Sequence, residues 1–354
     1  MIVRPRLTLD RARLQGASVP MGTSWLLGSC MEARGKQDLW TRMKPQVLAV
    51  LREQAKVQSV ESSNRIEGVT VAADRLRPVV VGKARPRDRS EEELAGYRRA
   101  LDWIFSRKGE SRLTPQVIRK LHALAQGGSS GDAGEWKKRD NEIVELMPGG
   151  GSRVRFVPAS AKDTPGLVEE LCRSYESACA EGWAPPLLLS ATLVFDLLCI
   201  HPFRDGNGRV SRLVTSLLLQ SQGFLVHRYV SLERLIEQSR EEYYGVLGDC
   251  SRGWVEGRNE IVPWWNYLLG IVRSGYKELQ TKMESAAARP AKGDLVRRVV
   301  LEQAGEFTLS DLAAEAPSVS PQLIKKVLNE MKRKGQVRLV GRGRGARWTL
   351  SGAI

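Results

Sequence analysis

His201-Pro-Phe-Arg-Asp-Gly-Asn-Gly-Arg-Val-Ser-Arg212 sets a histidine, a carboxylate, a glycine–asparagine–glycine turn and two arginines within twelve residues. Each residue type has a use in handling phosphates. Imidazole titrates near neutral pH, so His201 can take a proton from a hydroxyl. Asp205 offers a hard oxygen of the kind Mg²⁺ takes when it bridges phosphates and waters. Gly206 and Gly208 let the backbone approach an anion, and the helix expected to follow presents unpaired N–H groups to it. Arg209 and Arg212, three apart on that helix's first turn, share a face and can clamp phosphate oxygens. Taken singly, a histidine is more often a satisfied buried side chain and Gly206-Asn207-Gly208 an ordinary turn. Their joint spacing favours a nucleotide-handling site.

Outward from this stretch the pattern is mainly helical. Leu187, Leu188, Leu189, Leu193, Val194, Leu197 and Leu198 predict an apolar helix over 186–200, and Val210–Gln222 continues as helix to Gly223. Further helices are expected over 45–66, with Gly68 as a left-handed cap, and over 91–106. Thr114-Pro115 signals another helix start, and 165–180, 233–247 and 262–285 follow. A basic, proline-broken linker is expected over 75–89. Ile143–Leu146 and Val154–Val157 flank Pro148-Gly-Gly-Gly-Ser152 and predict a β-hairpin over 141–157. Prolines and glycines interrupt residues 1–43, which predicts an irregular arm. Beyond a hinge at 286–293, helical patterns at 294–304, 309–316 and 320–335 precede two short strands around a glycine–arginine loop. Helix, helix, helix, hairpin is the order of a winged helix.

At 354 residues the chain is long enough for two or three domains, and its 42% hydrophobic and 27% charged residues fit a globular protein. The formal net charge of +15 points to a polyanionic partner or to a solubility surface. Five scattered cysteines with no Cys-x-x-Cys pair argue against a zinc site and a disulfide framework, and a cytoplasmic setting fits best. The longest apolar run holds Ser190, Thr192 and Asp196, so no membrane span is expected.

The twelve residues match His-x-Phe-x-Asp/Glu-Gly-Asn-Gly-Arg-x-x-Arg at every defined position, and the chain resembles the Fic family over roughly residues 45–285. The resemblance implies a protein adenylyltransferase with a helical Fic core, a β-hairpin flap and ATP with Mg²⁺. His201 would deprotonate a Ser, Thr or Tyr hydroxyl that attacks the α-phosphate. Asp205 would hold the metal, Gly206, Asn207 and Gly208 the anion, and Arg209 and Arg212 the phosphates, while Phe203 would anchor the loop. Tyr243 or Tyr244 would border the adenine, and the flap would pair with the target as an added strand.

Ser63-Asn-Arg-Ile-Glu67-Gly68 resembles the family's inhibitory motif, as in its N-terminally inhibited class. Ser63 and Glu67, four apart, face one side of a helix, and Glu67 would pair with Arg212 to keep the enzyme off. The same glutamate could align water for removal of AMP. The expected organisation is an arm (1–43), an inhibitory helical region (44–110), a catalytic domain (111–285), a linker (286–293) and a winged helix-turn-helix domain (294–354). That last domain holds twelve Lys/Arg against six Asp/Glu over 291–354. Ser320, Gln322, Lys325 and Lys326 would face a DNA groove, and Arg342 and Arg344 would sit on the wing. Expected partners are a hydroxyl-bearing target protein, the chain itself, DNA and a second copy as homodimer. The rival expectation is a DNA-binding regulator whose Fic domain only senses nucleotide. Phosphate transfer is the less favoured chemistry, because Gly208 stands where phosphate-moving members carry lysine.

Overall fold

A computed structural model of the chain describes residues 4–43, 45–107, 112–127, 131–146, 150–288, 292–303, 305–341 and 346–351. The chain divides into two compact units, Met1–Gln280 and Thr281–Ile354. In chain order the helices begin with α1 (Arg11–Leu14), α2 (Met21–Met43), α3 (Pro45–Ile66), α4 (Ala73–Val80), α5 (Arg89–Ser106) and α6 (Pro115–Ala125). The antiparallel hairpin β1 (Ile143–Leu146) and β2 (Ser152–Phe156) follows, with Val144 opposite Val154 and a bulge beside Ile143. Then come α7 (Thr164–Glu181), α8 (Pro186–Ile200), α9 (Asn207–Ser221), α10 (Leu232–Gln238), α11 (Arg240–Ser251) and α12 (Val262–Ala288).

The first unit is organised around α8. Every residue from Leu187 to Ile200 is buried, as expected of a helix apolar on all sides. Its one carboxylate, Asp196, is fully buried and accepts three hydrogen bonds: from the Thr8 and Leu9 amides at 3.0 and 2.8 Å, and from the Trp254 indole at 2.7 Å. A buried carboxylate needs such partners. Asp196 thereby pins the start of the chain, with Leu7 and Leu9 in the core beside it. Local signals set the helix ends. Thr114 Oγ1 accepts from the Val117 amide at 3.3 Å ahead of Pro115, and Gly68 (φ 79°) stops α3 in the left-handed conformation.

Three expectations need correction. Residues 1–43 are not an irregular arm, because 21–43 form the 23-residue α2. Gly22, Gly28 and Gly35 cost helix propensity, but side-chain contacts outside the helix outweigh it: Thr23 Oγ1 donates to Asn266 at 2.7 Å, and Cys30 is buried. The proline-broken linker begins with a helix, α4, which carries Pro78 inside it. The expected helix over 233–247 is two helices, α10 and α11, separated at Ser239.

The second unit contains α13 (Lys292–Leu301), α14 (Leu309–Glu315), α15 (Pro321–Arg333) and the antiparallel pair β3 (Val337–Val340) and β4 (Arg347–Leu350). The division into units falls at 280/281, inside α12, and α12 gives way to α13 between Ala288 and Lys292. Val296, Val300, Phe307, Leu312, Ile324, Leu328 and Trp348 form its core, and Phe307 and Trp348 exchange backbone hydrogen bonds at 2.9 and 2.8 Å. A reciprocal capping box at Thr308/Asp311 and a Ser320 cap start α14 and α15. Arg342 and Arg344 lie outside the described residues.

Candidate active site

The site is built where α8 ends and α9 begins. His201 caps α8 at φ 52°, the one non-glycine residue with positive φ among those described. Such a conformation costs on the order of 1–3 kcal/mol and persists only where its surroundings impose it. Here they do. The fully buried Phe203 stacks flat on His122, with centroids 3.8 Å apart. Asn207 spends both ends of its amide on Phe203, accepting from the Phe203 N–H at 2.9 Å and donating to its carbonyl at 2.8 Å. Asn207 is therefore a staple of the loop, and its side chain is not free for a nucleotide. Gly206 (φ 78°) starts α9, and a Cβ there would lie 2.8 Å from the Gln126 amide. As at any helix start, the first-turn N–H groups of α9 have no partner within the helix.

His201 Nδ1 lies 3.3 Å from the Leu198 carbonyl, which puts the proton on Nδ1 and leaves Nε2 as the basic nitrogen. Burial pushes the imidazole down to about 4, Lys137 adding to that and Glu67 and Asp205 opposing it. His201 is thus neutral at pH 7 and able to accept a proton.

The charged groups divide into two sets. Asp205 is exposed; its Oδ1 accepts from the Gly206 amide at 2.6 Å, and its Oδ2 lies 3.2 Å from Arg89 and 3.7 Å from Arg209. Arg209 is 1% exposed and paired with the equally buried Glu93 at 2.7 Å, while its Nε has no hydrogen-bond partner among the described residues. Its charge acts from beneath Asp205. Arg212 meets α3 as expected. Its Nε donates to Ser63 Oγ at 2.9 Å, and its Nη2 donates to the Ser63 carbonyl at 2.9 Å and to Glu67 Oε1 at 2.7 Å. Arg212 Nη1 is buried with no hydrogen-bond partner among the described residues. A Cβ on Gly208 would lie 3.2 Å from that nitrogen and 2.1 Å from Glu67 Oε1. Only glycine at 208 leaves room for both side chains beside the turn.

Tyr243 is buried among Tyr244, Trp264 and Tyr267, so it packs in the core rather than facing a base. Tyr244 is half-buried between Arg155 of β2 and Arg240, whose guanidinium carbons lie 5.4 and 5.7 Å from its ring. The hairpin therefore packs beside α11 at this tyrosine.

The sequence reading missed the supports. Glu93 looked like one more charge on a charged helix. Glu233 is buried and accepts from Ser59 at 2.6 Å and Tyr97 at 3.0 Å, tying α3 to α5 and α10. Lys137, in the segment before the hairpin, is buried beside the loop. The legible signal for α3 was its serines. Ser59, Ser62 and Ser63 are all buried, so this helix packs by a polar seam as well as an apolar face.

All three histidines are held neutral by the fold. Burial lowers His122 and His201 to about 4 and His227 to about 3, the last aided by Arg228. A group that must stay uncharged in the folded state stabilises it above the unfolded pKa near 6.5, and that stability is lost as pH falls from there toward the folded value. By pH 5 each histidine should cost about 2 kcal/mol. We expect the melting temperature to drop steeply between pH 7 and 5. His227→Phe, which removes two buried ring nitrogens, should make that drop shallower. An unchanged slope in His227→Phe would show that His227 is not buried neutral.

Residues 112–219 match the model of the family described as Fic/DOC family. The chain is similar to protein adenylyltransferase Fic of Nematostella vectensis, 25% identical over 210 residues, which covers 57% of this chain and 44% of that protein. It is also similar to a Fido domain-containing protein of Dictyostelium discoideum, 31% identical over 100 residues, 27% of this chain and 66% of that protein. The chain thus spans less than half the length of the adenylyltransferase. Among solved structures it resembles a Fic family protein from Desulfovibrio desulfuricans (TM-score 0.62, 20% identity), covering 96% of this chain and 98% of that one. It also resembles a Fic domain containing signaling protein from Bacteroides thetaiotaomicron (TM-score 0.60, 22% identity), covering 74% and 98%. At these identities the structures show a shared fold. The likeness to the Fic/DOC family is thus carried by residues 112–219, and among the described residues no helix is long and apolar enough to cross a membrane.

Proposed function

We propose, from the likeness of residues 112–219 to the Fic/DOC family, that this protein transfers AMP from ATP to a Ser, Thr or Tyr hydroxyl of a target protein, and that α3 holds it off. The observation that carries this reading is Arg212, divided between Glu67 and an unpaired Nη1 beside Gly208. A buried guanidinium with a donor to spare, next to a glycine turn at a helix start, suits a phosphate chain. His201 Nε2 takes the proton from the target hydroxyl, whose oxygen bonds to the α-phosphorus while the bond to the leaving pyrophosphate breaks. The first-turn N–H groups at Asn207 and Gly208 receive phosphate oxygens. Tyr244 borders the base, and the hairpin presents a strand edge to the target.

Asp205 is the one exposed carboxylate of the loop. A single exposed carboxylate fits Mg²⁺, which keeps waters and takes its other ligands from phosphates. There the ion would neutralise phosphate charge. Among the described residues no group of three or more His, Cys, Asp or Glu forms a closed metal cage, so the ion would arrive with the nucleotide.

Glu67 competes with ATP for Arg212 and places a carboxylate at the turn where phosphate would lie, which supports an enzyme that is off at rest. The same carboxylate could orient water for removal of AMP. In the second unit, the exposed Ser320 that caps α15 and Gln322, Lys325 and Lys326 on that helix favour a further reading as a DNA-binding winged helix, with the Fic domain as its nucleotide sensor. The chemistry is tested by incubating the Glu67→Gly protein with ATP and Mg²⁺, alone and with cell extract, and measuring intact and peptide masses. An AMP adduct on a hydroxyl side chain is expected. A phosphate adduct, or none on any protein, would overturn adenylyl transfer.

A further inference from the structure

Lys137 is 5% exposed, and such a lysine has to be explained by its partners. Its Nζ donates to the Ile200 carbonyl at 3.1 Å and to Asn141 Oδ1 at 2.8 Å, and its backbone N–H donates to the Pro202 carbonyl at 2.9 Å. Asn141 in turn donates to the Phe203 carbonyl at 3.4 Å. The segment 137–141 therefore grips the main chain on both sides of His201, the residue held at φ 52°. Ile200 contributes one of the carbonyls that α8 leaves unpaired at its end, where a cation is favoured. Asn141 stands two residues before β1, at the root of the hairpin.

We propose that Lys137 is a positioning residue for His201: its ammonium ties the end of α8 to the root of the hairpin, fixes the left-handed turn that aims the imidazole, and sets a positive charge beside the ring. Among the described residues the charged groups that act most on His201 are Lys137, Glu67 at the end of α3, and Asp205 on its own loop. Lys137 and the two carboxylates pull in opposite directions, so removing the lysine leaves the ring in a more negative setting. Lys137 is itself pushed down to about 8 by burial, with Asp140 opposing. The charge beside His201 would then be shed in a mildly alkaline range, which links the readiness of the base to the hairpin root.

This inference builds on His201 as the proposed base, but its test does not need adenylyl transfer. The chain has three histidines. In protein with ¹⁵N-labelled histidine, each ring signal is assigned by its loss in a single His→Gln variant, and shifts are followed from pH 5.5 to 9. Wild type should keep His201 neutral throughout and show a second inflection of its ring shifts near pH 8, absent from His227. In Lys137→Met that inflection should vanish and His201 should begin to protonate at the acid end, while His122 and His227 stay as before. Lys137→Arg should keep His201 neutral at the acid end. In the Glu67→Gly background, Lys137→Met should lower kcat about tenfold or more with little change in KM for ATP, since misaligning a reacting group costs rate rather than nucleotide binding. His201 shifts unaltered at the acid end in Lys137→Met would overturn the proposal. Where that variant fails to fold, Lys137→Gln takes its place in the same titration. Loss of AMP transfer in every protein, with the His201 inflection intact, would count against the catalytic reading alone.

Discussion

Glu67→Gly is expected to raise the rate of AMP transfer about 10- to 100-fold and to tighten ATP binding by a similar factor. The hydrogen bond that it removes joins two charged groups, Arg212 Nη2 and Glu67 Oε1, at 2.7 Å, with the arginine side chain 4% and the glutamate side chain 29% exposed. Bonds of this kind contribute on the order of 1.5–3 kcal/mol, and each 1.4 kcal/mol is a factor of ten in an equilibrium. ATP has to break this bond before its phosphates reach Arg212, so what the bond contributes is subtracted from ATP binding. The glutamate also fills the space against Gly208, where a Cβ would come within 2.1 Å of it. Glu67→Gln keeps that bulk and removes the charge, so it should fall between wild type and Glu67→Gly. Calorimetric titration with ATP and Mg²⁺ checks the affinity. Equal affinity in wild type and Glu67→Gly would mean that Glu67 does not compete with the nucleotide.

His201→Asn, made in the Glu67→Gly background, should lower kcat by roughly 10²- to 10⁴-fold, the usual contribution of a general base. Asparagine suits the test better than alanine. It tolerates the left-handed conformation that residue 201 adopts, so the variant loses the imidazole without straining the turn. ATP affinity should stay near that of Glu67→Gly, because the phosphates are assigned to the N–H groups of α9 and to Arg212. A variant that loses ATP binding along with rate would reassign His201 from base to nucleotide ligand.

The parts of the molecule legible in the sequence are those whose cause is local. Proline at a helix start, glycine at a helix stop and the apolar run of α8 fixed most boundaries, and the Ser63–Glu67 spacing brought both residues to Arg212. What stayed hidden depends on distant partners. The pairing of Arg209 with Glu93, 116 residues earlier, has no local signal in the sequence. Asn207 reads as a ligand until its amide is seen closing on Phe203. Tyr243 and Tyr244 are adjacent and indistinguishable by type, yet one is buried in an aromatic cluster and the other lies between two arginines. The helix of residues 21–43 was masked by its glycines, because propensity is a weak guide where tertiary contacts decide.

The central claim is that Glu67, seated on Arg212, suppresses transfer of AMP by His201. Initial rates of label incorporation from ATP carrying radioactivity at the α-phosphate test it most directly, with cell extract as target source. Wild type, Glu67→Gly and Glu67→Gly/His201→Asn are compared at equal concentration. The account expects little label with wild type, a rise of about 10- to 100-fold with Glu67→Gly, and a return to background in the double variant. Equal labelling by wild type and Glu67→Gly, or label that persists without His201, would contradict it.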